Sequence, residues 1–282
     1  MSPFNDIREI VALSSGDFES ICRMNTANAY MGNNIVLCKV LSKYKMYVDS
    51  RDCGIAPHLI MDGYWESWLT QCLAKIIQPG SVCIDIGANF GYYTLMMSEL
   101  CGKKGRTISI EPNPELCKYL KLSQCIHGWP FEIIEAALSN KKGNTVLIIP
   151  VAYPGNASIT SPHPLLNGET SKIKVRTLTV DEMVQQLNLP EVDVIKIDVE
   201  GAEPLVFEGM QHTIANNPGL QIVMEYSPFI YQDVKKFTDY LFSEFIVYRI
   251  KDVAEMTTLD ESSISELCQL KDHTDLYLHR KH

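Results

Sequence analysis

The chain has 282 residues, 46% of them hydrophobic, and a formal net charge of −9 at pH 7. That length suits one large domain, or one domain with an added segment, and the acidic balance argues against a nucleic-acid backbone as partner, which would favour a basic face. The nine cysteines form no C-x-x-C pair and several sit in apolar runs, so reduced, buried thiols in a cytosolic protein are expected rather than a disulfide framework or a zinc site.

Met1 to Ser20 mixes Asp6, Arg8, Glu9 and Asp17 with apolar residues and has no signal-peptide layout. No apolar run approaches membrane-spanning length, so a cytoplasmic location without membrane contact is expected. Ile35–Val40 and Tyr44–Asp49 are predicted to pair as a hairpin around Leu41-Ser42-Lys43. Trp65, Trp68, Leu69, Cys72, Leu73 and Ile76 then recur at helical spacing, an amphipathic helix ended by Pro79-Gly80. Residues 1–78 read as a cap on a core spanning 79–282. The two tryptophans read as core rather than as stacking platforms for an acceptor.

From Ser81 onward short β-rich runs alternate with helical patterns, the signature of an α/β parallel sheet with helices on both faces. Predicted strands are Val82–Ile86, Thr107–Glu111, Glu132–Glu135, Val194–Asp198, Gln221–Glu225, Phe245–Ile250 and Asp275–His279. Pro114–Cys125, Pro204–Ile214 and a helix containing Phe237–Phe242 lie between them. The final two strands suggest an antiparallel edge. An insert over 145–176 carries Thr145–Ile149 and Lys172–Arg176 as an antiparallel pair, and Val151 to Ser171 between them is long enough to be a lid or a plain surface excursion.

The most informative run is Val82 to Gly91, strand and glycine turn in one stretch, leading into a helix from Tyr92 to Leu100. Gly87-Ala88-Asn89-Phe90-Gly91 lacks the first glycine pair of a dinucleotide fingerprint. Glycine there would let a ligand approach the backbone, and free N–H groups at the helix start would favour an anionic ligand group. Asp85, two residues before Gly87, stands where a carboxylate could meet the ammonium of an amino-acid-like ligand. The pattern therefore fits S-adenosylmethionine better than NAD. Glu111, 20 residues after Gly91, is placed to accept two ribose hydroxyls, with Pro112-Asn113 beside the adenine. Asp198, Glu200 and Glu203 cluster at the end of the fourth strand, with Glu225 ending the next. A solvated helix start explains Glu203 well and Asp198 poorly, because Asp198 closes a buried strand.

Together these motifs resemble the FkbM family of S-adenosylmethionine-dependent methyltransferases from Gly63 to about Arg280. The matching pieces are Gly63-Tyr64-Trp65-Glu66, Asp85 to Thr94, Ile110-Glu111-Pro112-Asn113, Ala136-Ala137-Leu138-Ser139 with Gly143, and Val175-Arg176-Thr177-Leu178 with Asp181-Glu182. The most specific is Lys196-Ile197-Asp198-Val199-Glu200-Gly201-Ala202-Glu203. Phe90 stands where the family often has isoleucine or valine. The resemblance implies a Rossmann-like, seven-stranded class I methyltransferase sheet, with Gly87, Asn89, Thr94, Glu111, Ala137 and Leu138 around the cofactor and Asp198 near its methyl end. Ala88 and Gly91 belong to the same turn, and Glu66 could reach cofactor or acceptor from the cap.

The resemblance implies O-methylation of a small polar acceptor, a sugar or glycosylated metabolite. Asp198 or Glu200 is the candidate base, with His58 and His163 as weaker alternatives. Magnesium held by Asp198, Glu200 and Glu225 is the lesser option, since no D-x-D-type cluster is evident, and no metal ligand is assigned. A nucleic-acid methyltransferase, a nicotinamide dehydrogenase and a non-catalytic scaffold are the rival readings. Homo-oligomer formation is left open.

Overall fold

The computed structural model describes residues 3–161, 168–251 and 256–281. The chain opens with helix α1 (Ser15–Asn25), whose N-cap Ser14 hydroxyl accepts the Asp17 N–H, and then an antiparallel sheet of β1 (Asn28–Gly32), β2 (Ile35–Val40) and β3 (Tyr44–Asp49). The hairpin expected over 35–49 is present residue for residue. The edge strand β1 was not foreseen, because all of its residues but Gly32 are exposed and no alternation marks it. Helices α2 (Ile55–Met61) and α3 (Ser67–Ile76) complete this region.

The core follows in chain order as β4 (Val82–Ile86), α4 (Tyr92–Cys101), β5 (Arg106–Ile110), α5 (Pro114–His127) and β6 (Glu132–Ile134). Next come β7 (Ala137–Leu138) and the two strands of the insert, β8 (Gly143–Pro150) and β9 (Thr170–Leu178), which lead to α6 (Val180–Gln186). Then come β10 (Val194–Ile197), α7 (Glu203–Glu208), α8 (Gln211–Asn216), β11 (Gln221–Tyr226), α9 (Val234–Glu244), β12 (Phe245–Ile250), β13 (Thr257–Leu259), α10 (Ile264–Cys268) and β14 (Thr274–Arg280).

Spatial order in the main sheet is β13-β12-β14-β11-β10-β4-β5-β6. All seven expected strands are there, and the short β13 adds an eighth at the edge. The final two expected strands, β12 and β14, pair antiparallel on the outer side of the sheet as expected, and within that pair β14 is the inner strand, antiparallel to β11 as well. Sequence order had hidden this, because β14 follows β12 but slots between it and β11. The insert pairs β8 and β9 as expected, and β7 joins β9 in parallel to make a third sheet. The single helix expected over 204–214 is two, broken at Gly209-Met210. Gly209 packs so closely that a Cβ there would come within 2.2 Å of the Ser139 carbonyl oxygen.

The central strands are buried on both faces, with successive side chains entering opposite layers. Ile84, Ile86, Ile108, Ile110, Ile195, Ile197 and Ile222 pack with Val206, Phe207 and Leu241 on one face of the sheet. Cys83, Val194 and Val223 face the other way, into a cluster that holds Tyr92, Leu95 and Leu120 of α4 and α5 together with Phe18, Tyr44, Met46, Leu69 and Leu73 of the N-terminal region. One continuous hydrophobic cluster thus joins the first seventy-odd residues to the sheet. All nine cysteines are free thiols, with Cys53 and Cys125 exposed. Among the described residues no helix is long and apolar enough to cross a membrane.

Candidate functional site

The carboxyl ends of β4, β5 and β10 meet beside the insert and leave a cleft of about 570 Å³, measured out to open solvent. Strand ends of open α/β sheets are the usual place for such a cleft, since the loops there diverge to opposite faces. Its floor and polar groups come from Gly87, Asn89, Glu111, Pro112 and Asp198, and its apolar wall from Ile86, Ile110, Ala137, Leu138 and Leu147. Pro154, Gly155, Ala157 and Ile159 of the insert close the remaining side. Those four were not foreseen individually, although the length of their loop had marked it.

Glu111 is held through both of its carboxylate oxygens. It is 5% exposed, and its two carboxylate oxygens accept the backbone N–H groups of Asn89 at 2.9 Å and Asn113 at 2.8 Å. Burial pushes its carboxyl up to about 7, against the pull of those two donors. Each oxygen keeps a second lone pair, so the carboxylate that ties the glycine turn to β5 can also accept from a ligand. Asn89, in the left-handed region at φ 52°, has a buried Oδ1 with no partner among the described residues.

The glycine turn works differently from expectation. At Gly87, φ is 82°, and a Cβ would lie 1.8 Å from the Asp198 carbonyl oxygen; at Gly91 it would lie 2.1 Å from Leu120 Cδ1. Both glycines are required by contacts within the protein. The N–H groups of Gly87 and Ala88 both donate to the Ile110 carbonyl at 3.0 Å, and Asn89 N–H goes to Glu111. The turn therefore offers no free row of amides to an anion. Ala88 and Gly91 are absent from the cleft lining, as is Asn113, which caps α5 instead.

Asp85 also departs from its expected place. It is fully buried and accepts the Thr94 hydroxyl at 2.5 Å, holding the first turn of α4. Burial raises its pKa, opposed by Lys196, its cross-strand neighbour in register on β10. Neither Asp85 nor Thr94 lines the cleft, and Asp85 Oδ1 has no partner among the described residues.

A smaller hollow, about 200 Å³ measured out to open solvent and too tight to admit a water molecule, adjoins the cleft and shares Asp198 with it. Its other walls are Glu66 and Leu69 at the start of α3, Lys196, Val223, Met224, Glu225 and Asp275. Lys196, 3% exposed, places Nζ 3.0 Å from Asp198 Oδ2 and 5.0 Å from the Tyr93 ring centroid. Burial works to lower its pKa, but Asp198 and Asp85 outweigh it and the pKa rises. Glu66 accepts the Tyr93 hydroxyl at 2.7 Å, and burial followed by the charges of Asp275 and Asp198 raises it to about 8. Asp275 accepts the Trp68 indole N–H at 2.7 Å and is raised to about 6, mainly by burial. Burial, with Asp198 and Glu200 nearby, pushes Glu225 well up. Glu66 thus belongs to the hollow and not to the cofactor-sized cleft.

Two acids are corrected. Glu203 is fully buried rather than solvated, and its oxygens accept the N–H groups of Val199 and Gly201 at 3.0 Å each, stitching the loop after β10. Burial raises it to about 7. Glu200, a candidate base from sequence, lines neither the cleft nor the hollow; it faces the insert, where it accepts the Asn156 side-chain amide at 2.7 Å. His58 is exposed and paired with Asp62 at 3.2 Å, and His163 lies outside the described residues. Trp65 and Trp68 are half-buried and pack on the core. Among the described residues no group of three His, Cys, Asp or Glu side chains is arranged to hold a metal ion.

Comparison with known proteins gives a family match. Residues 85–261 match the Methyltransferase FkbM domain, and residues 43–123 match that of protein-L-isoaspartate(D-aspartate) O-methyltransferase. Hexuronic acid methyltransferase AglP of Haloferax volcanii is 26% identical over 158 residues, 55% of this chain and 60% of that one. Methyltransferase 1 of Beauveria bassiana is 24% identical over 162 residues, 51% of this chain and 65% of that one. The chain thus spans less than two thirds of either relative. Among solved structures, Methyltransferase FkbM from Methylobacillus flagellatus aligns with a TM-score of 0.46 and 12% identity, covering 77% of this chain and 56% of that one.

Proposed function

Since the chain belongs to the FkbM methyltransferase family, we propose that it transfers a methyl group from S-adenosylmethionine to a hydroxyl of a small polar acceptor, with a sugar or glycosylated metabolite as the acceptor class. The observation that carries this reading is the cleft running from Glu111 to Asp198, flanked by Ala137 and Leu138. Its donor set fits the cofactor. Glu111 has lone pairs for ribose hydroxyls, the apolar wall and Pro112 suit an adenine, Asn89 Oδ1 is an unused acceptor, and Asp198 suits a cationic sulfonium end.

When bound, S-adenosylmethionine supplies an electrophilic methyl on a sulfonium. The protein's own tasks are to orient the acceptor at roughly 3–3.5 Å in line with that methyl, to keep water out and to receive the hydroxyl proton. Asp198 is the group we assign to the last task, because among the described residues it alone lines both cleft and hollow. Lys196 holds its Oδ2 from below. The hollow between α3 and the ends of β10 and β11 has no room for a sugar as it stands, so in this reading the acceptor reaches Asp198 only once these walls move apart, and their carboxyl groups can then donate or accept hydrogen bonds to its hydroxyls. The hexuronic acid activity of the AglP relative supports a sugar acceptor, and the formal charge of −9 supports a small molecule over a nucleic acid.

Calorimetric titration with S-adenosylmethionine, S-adenosylhomocysteine and NAD, each alone, tests the reading. Selective binding of the first two is expected, followed by methyl transfer in a screen of sugars and glycosides with and without magnesium. Absence of binding by both would overturn it.

A further inference from the structure

The insert is fastened to the core at Glu200. The carboxyl Oε1 accepts the Asn156 side-chain amide at 2.7 Å, and the Glu200 backbone carbonyl accepts the Ser158 hydroxyl, also at 2.7 Å. Ser158 is 1% exposed and shares a further hydrogen bond with the Thr160 hydroxyl at 2.9 Å. Glu200 and Gly201 are both left-handed, at φ 54° and 94°, which turns the chain after β10 back toward the insert. A residue with a Cβ adopts that conformation only against a steric cost, so something must hold Glu200 there. The Asn156 and Ser158 contacts help to do so, beside the bonds from Val199 and Gly201 N–H to Glu203.

Two more contacts seat the same segment. The Cys53 N–H donates to the Ala152 carbonyl at 2.8 Å, and a Cβ on Gly155 would come within 2.6 Å of Asn89 Nδ2. Between these anchors Pro154, Gly155, Ala157 and Ile159 form one wall of the cleft. The ties to Glu200 join this wall to the loop after β10, while the Cys53 bond and the Ser158–Ile148 bridge hold it to the cap and to β8.

We infer that Glu200 is a positioning residue that latches the insert across the cofactor cleft, with Asn156 and Ser158 as its partners, so that this latch gates cofactor entry and product release. The inference rests on the reading of the cleft as the S-adenosylmethionine site. It assigns Glu200 a role other than the proton acceptor its motif suggested. A base must touch the acceptor, whereas this carboxyl points into the insert. The latch needs an acceptor oxygen at position 200 and not a charge, and burial beside Asp198 and Glu203 already holds this carboxyl well above its ordinary range. Glutamine should therefore replace glutamate, and alanine should not.

The test uses the full chain and the variants Glu200→Gln, Glu200→Ala and Asn156→Ala. Amide hydrogen exchange over residues 152–160 in the ligand-free protein should speed up about tenfold in both alanine variants, the factor expected for one lost hydrogen bond, and stay at the wild-type rate in Glu200→Gln. Dissociation of S-adenosylhomocysteine, followed by stopped flow, should quicken in the same two variants and not in the third. Exchange equal in all four proteins, each with native circular dichroism, would overturn the latch. So would a Glu200→Gln variant as impaired as Glu200→Ala. Asn156→Ala breaks the tie from the insert side and serves where Glu200→Ala fails to fold. A wild-type protein that binds no S-adenosylhomocysteine would sink the cofactor reading, while the ligand-free exchange would still decide the latch.

Discussion

Replacing Glu111 by glutamine separates its two jobs. Each carboxylate oxygen now accepts a backbone N–H, from Asn89 and from Asn113, in a site 5% exposed. Alanine would strand both donors at about 1–3 kcal/mol each, a large share of the roughly 5–15 kcal/mol that holds a domain together. It would confound folding with binding. Glutamine keeps the length and one acceptor oxygen, so a single donor is stranded and the fold should survive with a loss of about 1–3 kcal/mol. The charged acceptor offered to a ribose hydroxyl also disappears. Hydrogen bonds to charged groups contribute about 1.5–3 kcal/mol, so affinity for S-adenosylhomocysteine should fall by roughly ten- to a hundredfold. The pH dependence carries a second signature. Burial raises the Glu111 carboxyl to about 7, so it is ionised above and protonated below that pH. Wild-type affinity should weaken as pH drops from 8 to 6, and the glutamine variant should lose that slope. Calorimetry at both pH values with urea denaturation alongside reads all three quantities. A folded variant whose Kd lies within twofold of wild type would remove Glu111 from the binding site.

Three further outcomes follow from the geometry. Gly87→Ala should cost several kcal/mol, about 3 or more, because its Cβ would sit 1.8 Å from the Asp198 carbonyl at φ 82°; Gly80→Ala, at φ 95° with nothing within 4 Å, should lose only about 1–2 kcal/mol. Equal urea midpoints for the two would contradict the close approach. Glu203 is buried and its carboxyl is raised from 4.5 to about 7, so the folded state binds that proton more tightly than the unfolded one. The stability this provides, up to about 3 kcal/mol, is complete below about pH 4.5 and lost as pH rises through 7. Glu66 and Glu111 act in the same direction, so the melting temperature should fall from pH 5.5 to 8.5, less steeply in Glu203→Gln; a rise across that window would refute it. Asp198→Asn should cut turnover of a hydroxyl acceptor by about 100-fold or more while S-adenosylhomocysteine still binds, and normal turnover would remove Asp198 as proton acceptor.

The parts legible in the sequence were those whose signal is local. Val82–Ile86 and Phe245–Ile250 have the bounds expected, because each is a short run rich in β-branched and aromatic or other apolar residues. The amphipathic stripe of α3 and the hairpin of β2 and β3 were readable for the same reason. Glu111, Asn89, Pro112, Ala137, Leu138 and Asp198 do line one cleft, since strand-end positions follow once the strands are known. What stayed hidden depends on distance along the chain. Nothing near Asp275 announces that Trp68, 207 residues earlier, donates to it. Asp85 and Glu203 looked like ligand or solvent acids because a carboxylate spent on a neighbouring backbone or hydroxyl has no distinct local pattern. Lys196 was in view within its apolar strand, and a lysine there calls for buried counter-charges, which Asp85 and Asp198 supply.

The placement of β14 bears on when the sheet can be completed. The ribosome makes β11 and β12 before β14, yet β14 is the strand that pairs with both. Until it emerges, β11 has β10 on one side and an open edge on the other, and β12 has no strand linking it to the rest of the sheet. Pairing on that side is therefore non-local and late, the kind of contact that slows folding and leaves unpaired edges exposed to other chains. Asp275 lies on this same strand, so the hollow beside α3 gains its last wall at the final step. A nascent chain halted before β14 would already have the residues of the larger cleft and would still lack Asp275, the buried partner of the Trp68 indole.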